Sequence, residues 1–345
     1  MVWGSVGQHS VGQHRVRAII AWLSAVAVAV AMLAFVPEAQ AANRAFLRPD
    51  ATGTCEWDPI AYWVQRCDVY SPAMNTTIVV QVQPAKNGGN AGFYLLDGGR
   101  AEDTSSAWLA AGNAQARFVN DNITIVMPAG GGGSFYTDWV REGRPGDPST
   151  NYKWETFLTR ELPDYLQRHF GVSPQNNAIG GLSMGATAAM NLAAAHPQQF
   201  RQVTSFSGYL TIGSPAGYVG VALTLWELGK LDVNAMYGSM FSPRVHELDP
   251  LSNIPRLRGK DVYVSAATGI WGPGEAQYAV NDRIVGTGLE LASAGTTLAW
   301  EAAARAQGLQ VTSYYAPVGS HNWEQWNLQL ERARPHILNV MNAWG

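Results

Sequence analysis

The sequence predicts an α/β fold with a mostly parallel central sheet flanked by helices. Short apolar or β-branched runs indicate strands, and segments with helical spacing of apolar residues separate them. The predicted strands are TTIVVQVQP (76–84), FYLL (93–96), ITIVM (123–127), 177–181, 203–207, 262–267 and 311–316. The predicted helices are 152–170, 184–196 and 289–308. Such alternation is typical of one sheet that is covered by helices on both faces.

The first 41 residues have the pattern of a secretory signal peptide. Arg15 and Arg17 precede an apolar run from Ala18 to Phe35, and Ala39-Gln40-Ala41 follows as an A-x-A motif. A basic region, an apolar region and a small-residue exit together predict cleavage after Ala41, and therefore a secreted or envelope protein. A retained membrane anchor is the alternative, because the run is nearly long enough to span a bilayer.

Composition narrows the partners that the chain could have. Its formal net charge is −3, and it carries no basic block of the kind found in nucleic-acid binders. We expect no nucleic-acid partner and no cofactor, and a monomer with at most peripheral contact to the envelope. The 13 tryptophans and a charged fraction of 14% suit contacts with carbohydrate and lipid, although tryptophan is more often buried.

Two cysteines, Cys55 and Cys67, predict a structural disulfide. Export places both in an oxidising compartment, where such pairs form. No cluster of histidine and cysteine accompanies them, so we expect no metal site. Their spacing also differs from the C-x-x-C of redox motifs.

The pentapeptide Gly181-Leu182-Ser183-Met184-Gly185 matches the pattern G-x-S-x-G. The match alone is weak, because small residues recur by chance. Here a predicted strand precedes it and a predicted Ala-rich helix follows, which is the context of the nucleophile elbow in α/β-hydrolases. We therefore predict that Ser183 is a nucleophile and that residues 42–345 form a single α/β-hydrolase domain. An ordinary Gly-rich helix start is the alternative.

A serine hydroxyl needs a base, which in this fold is a histidine late in the chain. His321 follows the last predicted strand in the sequence GSHNWEQW, so we assign it that role, with His246 second. His169 and His196 lie at predicted helix ends, and His336 lies in the C-terminal helical pattern.

The acidic partner of the histidine stays open at this point. The candidates between the elbow and His321 are Glu275, Asp282, Glu290 and Glu301. A position just after a late strand favours Glu275 or Asp282, because helical glutamates are usually solvated.

The oxyanion of an acyl-transfer intermediate needs two backbone N–H donors. Met184, directly after the serine, is one candidate. The other is Gly99, in the loop Asp97-Gly98-Gly99-Arg100 after an early strand, where the absence of a Cβ allows close approach.

Six stretches of the chain resemble the mycolyltransferases of mycolic-acid bacteria, the antigen 85 group and its corynebacterial relatives. They are YLLDGGRAED (94–103), IVMPAGGGGSFYTDW (125–139), YKWETFLTRELP (152–163), IGGLSMG (179–185), AAHPQQF (194–200) and GSHNWEQW (319–326). The long strings YKWETFLT and SFYTDW are uncommon, which makes the resemblance specific.

The resemblance implies a serine acyltransferase that moves a mycoloyl group from trehalose monomycolate to a second trehalose monomycolate or to cell-wall arabinogalactan. It implies that Ser183 and His321 are catalytic and moves the acid to Glu290, about thirty residues before the histidine. It further implies that Asp97 and Arg100 contact the sugar. Trp323 matches the family tryptophan two residues after the histidine and could stack on a sugar or simply pack.

The sequence also departs from antigen 85. Gly99 stands where those proteins have a leucine, Thr211 replaces an aspartate, and their disulfide before YKWET has no counterpart here. Residues 212–248 match poorly, and their apolar part (219–231) could line or cap an acyl channel. Two other functions are therefore kept: a secreted carboxylesterase that uses water as acceptor, and a non-catalytic wall- or matrix-binding protein.

Overall fold

The computed structural model describes residues 50–345, so the predicted signal peptide at 1–41 lies outside the described residues. The strands are β1 (Cys55–Trp57), β2 (Gln65–Ser71), β3 (Thr76–Gln83), β4 (Gly92–Leu96), β5 (Thr124–Pro128), β6 (Asn177–Leu182), β7 (Phe200–Phe206), β8 (Asp261–Ala267) and β9 (Thr312–Ala316). They form one sheet in the order β1-β2-β3-β5-β4-β6-β7-β8-β9.

The sheet is parallel from β5 to β9, and β1, β2 and β3 extend it as antiparallel strands. Every residue of β4, β5 and β6 is buried, because helices cover both faces there. The predicted fold class is confirmed. The strands β1 and β2 are additions that the sequence pattern did not predict.

The helices of the described chain are α1 (Ala107–Ala110), α2 (Ala114–Phe118), α3 (Trp154–Thr156), α4 (Leu162–Phe170), α5 (Met184–Ala195), α6 (Pro215–Gly229), α7 (Val233–Tyr237), α8 (Arg244–Glu247), α9 (Val280–Ala306) and α10 (Trp323–Met341). A π-helical turn, Phe157–Glu161, joins α3 to α4. Together α3, this turn and α4 cover most of the helix predicted at 152–170.

Helix α9 begins nine residues earlier than the predicted start at 289. Gly286 and Gly288 weaken the local helix propensity, which hides this turn from sequence analysis. The fold holds it in place, because the His321 N–H donates to the Gly286 carbonyl (3.1 Å).

Two apolar clusters lie on opposite faces of the sheet. One contains side chains of α4, α5 and α9, such as Leu166, Met190 and Trp300. The other contains side chains of α1 and α10, such as Trp108 and Leu330. A third cluster lies beneath α6 and α7, around Trp139, Leu225 and Tyr237. The segment 212–248 is therefore a packed helical unit with its own small core.

The disulfide between Cys55 and Cys67 is confirmed. The two cysteines are direct partners in the β1–β2 register. Closing a loop of this length stabilises the folded state by about 3 kcal/mol in the chain-entropy account. Within residues 50–345, every helix is too short or too polar to cross a membrane.

Candidate active site

Ser183 alone makes the turn between a strand and a helix. Strand β6 ends at Leu182 and α5 begins at Met184. The serine backbone adopts φ 54° and ψ −120°, a region that residues other than glycine rarely occupy. Its N–H donates to the Phe206 carbonyl (2.9 Å), which ties the turn to the end of β7. This is the geometry that holds a serine side chain out at the edge of a sheet.

The glycines on either side of the serine are required by crowding. A Cβ at Gly181 would lie 2.6 Å from the carbonyl of Gly185 and 2.8 Å from the carbonyl oxygen of Leu96. A Cβ at Gly185 would lie 2.6 Å from that same Leu96 oxygen. Strand β4 and helix α5 thus approach as closely as backbones can, and a side chain at either position would force the elbow apart.

Glu290 and His321 form a buried pair at the same edge of the sheet. Their Oε2 and Nδ1 atoms lie 2.8 Å apart, and the side chains are 0% and 5% exposed respectively. The other carboxylate oxygen, Oε1, accepts from the Ser207 hydroxyl (2.9 Å) and the Ala267 N–H (2.6 Å). These bonds anchor the carboxylate to the ends of β7 and β8, so the imidazole has a fixed orientation.

Glu275 supports the loop that carries the histidine. Its Oε1 accepts from the Ser320 N–H (3.0 Å), and its Oε2 accepts from the Gly272 N–H (2.7 Å). The ring of Trp326 lies edge-on to the imidazole, with centroids 5.0 Å apart. Glu275 therefore positions the backbone beside His321, and Glu290 is the carboxylate that meets its ring.

The remaining acids and histidines have other partners or positions. Asp282 is exposed at the start of α9, and His246 is exposed in α8. Glu301 accepts from Arg305, Ser313 and Tyr315. His196 pairs with Glu155 (2.9 Å), His336 pairs with Asp261 (2.8 Å), and the ring of His169 packs on Tyr165.

The second nitrogen of the His321 imidazole has no hydrogen-bond partner in the described residues, so it could accept a proton. His321 Nε2 is buried and makes no hydrogen bond to any of the residues 50–345. The Tyr209 phenol lies close to the Ser183 hydroxyl and donates to the Leu289 carbonyl (3.4 Å), and its ring centroid is 6.0 Å from that of the imidazole. Burial, together with the charge of Glu290, raises the pKa of Tyr209, so this phenol is neutral. Tyr209 therefore lies beside both predicted catalytic side chains.

The loop after β4 lies against the elbow. A Cβ at Gly98 would lie 3.6 Å from the Cβ of Ser183, and a Cβ at Gly99 would lie 2.7 Å from Leu228 Cδ1 of α6. The Gly99 carbonyl accepts from the Gly133 N–H (3.1 Å), which holds the loop to the glycine run. Met184 is the first residue of α5, where N–H groups have no partner within the helix. Met184 directly follows Ser183, and Gly98 of the loop that carries Gly99 borders it, so the assignment of the Met184 and Gly99 amides as oxyanion donors stays a prediction.

Asp97 has a structural role that differs from the predicted sugar contact. The residue is 0% exposed, and its carboxylate accepts from the Ser106 hydroxyl (3.2 Å), the Ala107 N–H (3.0 Å) and the Trp108 N–H (3.3 Å). Burial raises its pKa to about 7, against the effect of these hydrogen bonds. In this structure the Asp97 carboxylate is closed to solvent and bonds the first turn of α1, so its contact with a sugar stays a prediction.

Arg100 lies on an open cleft of about 480 Å³. Its guanidinium pairs with Glu227 of α6 (3.0 Å), and both side chains are largely exposed. Gly99, Asp103, Arg144 and Tyr152 also line the cleft. Trp323, at the start of α10, is partly exposed, and its ring packs edge-on against Trp108 (5.4 Å) and Trp326 (5.3 Å).

Histidine, cysteine and acidic side chains, the usual metal ligands, occur throughout the described part of the chain, residues 50–345. There, no group of three or more histidine, cysteine or acidic side chains could hold a metal ion.

Comparison with known proteins places this geometry in a family. A family model described as "Putative esterase" matches residues 71–337. The diacylglycerol acyltransferase/mycolyltransferase Ag85C of Mycobacterium leprae is 33% identical over 281 residues, which cover 81% of this chain and 83% of that protein. Ag85A of Mycobacterium tuberculosis is 33% identical over 285 residues, covering 81% and 82%.

The chain belongs to the antigen 85 mycolyltransferase family, within the esterase superfamily.

Solved structures agree with this assignment. The crystal structure of Mycobacterium tuberculosis MPT51 superposes with a TM-score of 0.69 at 29% identity and covers 81% of this chain and 98% of its own. An S-formylglutathione hydrolase from Agrobacterium tumefaciens superposes with a TM-score of 0.61 at 14% identity, covering 86% and 100%. The second likeness concerns the α/β-hydrolase fold alone.

One of the departures from antigen 85 noted in the sequence, Gly99, lies against α6. The antigen 85 group has a leucine at this position. Here Gly99 has no side chain, and the Leu228 side chain of α6 occupies the space beside it. Val219, Leu223 and Trp226 of the same helix are exposed, while Val221 and Leu225 are buried. The poorly matching segment thus forms part of the wall of the cleft, through Glu227 and Leu228.

Sequence analysis missed three members of the site: Ser207, Tyr209 and the Ala267 N–H. All three lie at or just beyond the carboxyl ends of β7 and β8. That position was a usable signal, because parallel strands bring their carboxyl ends to one edge of the sheet. Their contacts with Glu290 and Ser183 needed coordinates.

Proposed function

We propose that this chain is an exported acyltransferase that moves a mycoloyl group from trehalose monomycolate to a second trehalose monomycolate or to cell-wall arabinogalactan. The observation that supports it is the buried Glu290–His321 pair beside the Ser183 elbow, in a chain of the antigen 85 family. The relatives of this chain are named as diacylglycerol acyltransferase/mycolyltransferases, and Ser183, His321 and Glu290 are the residues that we propose as its nucleophile, base and acid.

The first half-reaction forms an acyl-enzyme. His321 Nε2 takes the proton of the Ser183 hydroxyl, and Oγ attacks the ester carbonyl carbon. Glu290 accepts from Nδ1–H, keeps Nε2 available as the base, and stabilises the imidazolium that forms. The N–H groups of Gly99 and Met184 hold the oxyanion, each worth about 3 kcal/mol in related chemistry. The ester C–O bond then breaks, and the departing sugar oxygen takes the proton from Nε2.

The second half-reaction returns the enzyme to its starting state. A hydroxyl of the acceptor sugar gives its proton to Nε2, and its oxygen attacks the acyl carbon. The bond to Ser183 Oγ breaks, and Oγ recovers the proton from the imidazolium. No redox step and no further reactant is needed, because one ester bond is exchanged for another.

We propose the cleft beside Arg100 as the site of the sugar. It borders Gly99, which connects it to the predicted oxyanion loop, and its guanidinium and carboxylate groups can donate to and accept from sugar hydroxyls. Asp97 supports the loop from beneath and has no direct contact in this scheme.

Mass spectrometry of the intact secreted protein, after incubation with trehalose monomycolate, tests the proposal. We expect a mass increase of one mycoloyl group on Ser183 and trehalose dimycolate among the products, both lost in Ser183→Ala. Free acid alone at every trehalose concentration would assign the carboxylesterase activity. Absence of both acylation and labelling by a serine-directed phosphonate would assign the non-catalytic binding role.

Export is tested on the same sample. N-terminal sequencing of the protein from the culture medium should begin at Ala42. A protein found only in the membrane fraction, with residues 1–41 intact, would indicate a retained anchor.

A further inference from the structure

Helix α9 has polar residues on its buried side and apolar residues on its exposed side. Its buried side carries polar residues, among them Glu290, Ser293, Thr297 and Glu301. On the opposite side, every exposed residue from Ile284 to Ala302 is an aliphatic residue or glycine. A surface helix normally shows the opposite pattern, with charged residues toward water. Such an exposed apolar face indicates a surface that another molecule covers.

The exposed residues alternate between bulky and small at helical spacing. Ile284, Leu291 and Leu298 are 58%, 55% and 52% exposed and form a ridge. Gly288, Gly295 and Ala302 lie between them at steps of four and three residues. A Cβ at either glycine would meet nothing within 4 Å, so these positions are open notches beside the ridge. Alternating steps of three and four are the spacing at which two helices interdigitate.

We propose that the exposed face of α9 is a homodimer interface, in which two copies pair their α9 helices antiparallel about a two-fold axis. In that register Ile284 faces Ala302 of the second copy, Leu291 faces Gly295, and Leu298 faces Gly288. Each bulky side chain meets a small one, and the arrangement is its own complement, as a two-fold interface requires. A parallel pairing would oppose like with like, leaving glycine layers empty and leucine layers crowded.

Electrostatics also favours a second copy. The ridge and its notches carry no charge, so self-pairing creates no like-charge contact. Antiparallel helices place opposite dipole ends side by side. A lipid surface is the less suitable occupant, because glycine notches have no side chain to insert and interfacial helices usually carry lysine or arginine along their rim.

The size of the face sets the expected strength. The segment from Ile284 to Ala302 is ~28 Å long at the α-helical rise, and a width of ~10 Å gives ~300 Å² per copy. The apolar residues Ile270 and Trp271 enlarge it, since Trp271 donates to Thr287 (2.8 Å) and Gly269 borders Leu291. The total stays well below the ~800 Å² per partner of standard interfaces, so the dimer should be weak and form only at high protein concentration.

The mouth of the proposed catalytic site lies outside this interface. The Leu289 carbonyl accepts from the Tyr209 phenol, so Leu289 borders the catalytic side rather than the ridge. Dimerisation and catalysis are therefore compatible, and the interface stands independently of the proposed function. The monomer expected from the sequence is the alternative that sedimentation tests.

Sedimentation velocity of the secreted chain, from low to high micromolar concentration, tests the pairing. We expect a concentration-dependent dimer whose dissociation constant rises at least about tenfold in Gly295→Leu, equivalent to ~1.4 kcal/mol, because two leucines then collide. The double variant L291A/G295L exchanges bulky and small positions and should restore wild-type dimerisation. Leu223→Glu, on the exposed face of α6, is the matched control and should dimerise as wild type.

Three results would overturn the proposal. These are a monomer at all concentrations, a Gly295→Leu variant that dimerises as wild type, and a double variant no better than the single one. Binding of the monomer to vesicles of neutral phospholipid, lost in Leu291→Glu, would assign the face to a lipid surface instead. Circular dichroism melting of each variant establishes that it is folded before sedimentation is interpreted.

Discussion

The two sides of Ser183 are built in different ways. On one side, Glu290 and His321 are almost completely buried, and both oxygens of the carboxylate have partners. On the other side, Arg100 and Glu227 are largely exposed across an open cleft. The buried side can hold a proton-transfer geometry because every polar group in it is fixed. The open side can change its shape without disturbing that chemistry, and Gly99, one of the departures from antigen 85, lies there.

The largest effect is expected on the buried side. Glu290→Gln removes the acceptor that fixes the tautomer of His321 and the charge that stabilises the imidazolium. We expect kcat for mycoloyl transfer to fall by about 10²–10⁴ with little change in KM. The measurement is steady-state transfer between trehalose monomycolates.

Glu301→Gln is the control for that experiment. It changes a second carboxylate of α9, one that bonds Arg305, Ser313 and Tyr315 and lies outside the imidazole network. Its kcat should stay within about threefold of wild type. Equal losses in the two variants would show that α9 matters only as a scaffold.

Asp97 follows β4 and bonds the first turn of α1, so we expect its ionisation to affect the stability of the fold. Its pKa is raised by burial to about 7 from an ordinary value of 3.8, so the folded state binds more protons than the unfolded state between those values. The free energy of unfolding should therefore fall as pH rises from about 4 to 7, by on the order of 4 kcal/mol from this group.

Asp97→Asn should flatten that part of the pH profile. Urea denaturation at several pH values, with exposed Asp282→Asn for comparison, measures the difference between variants. A wild-type stability that rises through this window relative to Asp97→Asn would mean that the carboxylate is ionised in the folded state.

Tyr209→Phe probes the resting position of the nucleophile. The phenol contacts the Ser183 hydroxyl while His321 Nε2 has no partner in the described structure, so the two compete for the serine. Removing one hydrogen bond of this kind should speed phosphonate labelling of Ser183 by about two- to tenfold. A slower reaction would instead make Tyr209 a donor to the reacting group.

Arg100→Ala should give the smallest effect. The Arg100 side chain is largely exposed, and one solvent-exposed hydrogen bond to a sugar contributes about 1 kcal/mol, so KM for the sugar ester should rise by about fivefold while kcat is unchanged. Phosphonate labelling, which needs no sugar, should be unaffected. A loss in kcat comparable to that of Glu290→Gln would erase the distinction between the buried and the open side.

The sequence by itself determined the fold class, the elbow and the disulfide. Each rests on local pattern: alternating strands and helices, a G-x-S-x-G between them, and two cysteines in an exported chain. His321 also came from local context, since it follows the last strand. The acid did not, because Glu275, Asp282, Glu290 and Glu301 all satisfy the chain order, and the residue pattern favoured Glu275 or Asp282.

The family resemblance indicated Glu290, and the tertiary structure shows that this carboxylate meets the imidazole. Glu290 is brought there by α9, whose first turns are hidden by Gly286 and Gly288 and are held by a hydrogen bond from His321 itself. Glu275 is held to the Ser320 backbone, and Asp97 is buried under the first turn of α1. These roles follow from burial and from contacts between segments far apart in the chain, which the spacing of residues along a sequence cannot specify.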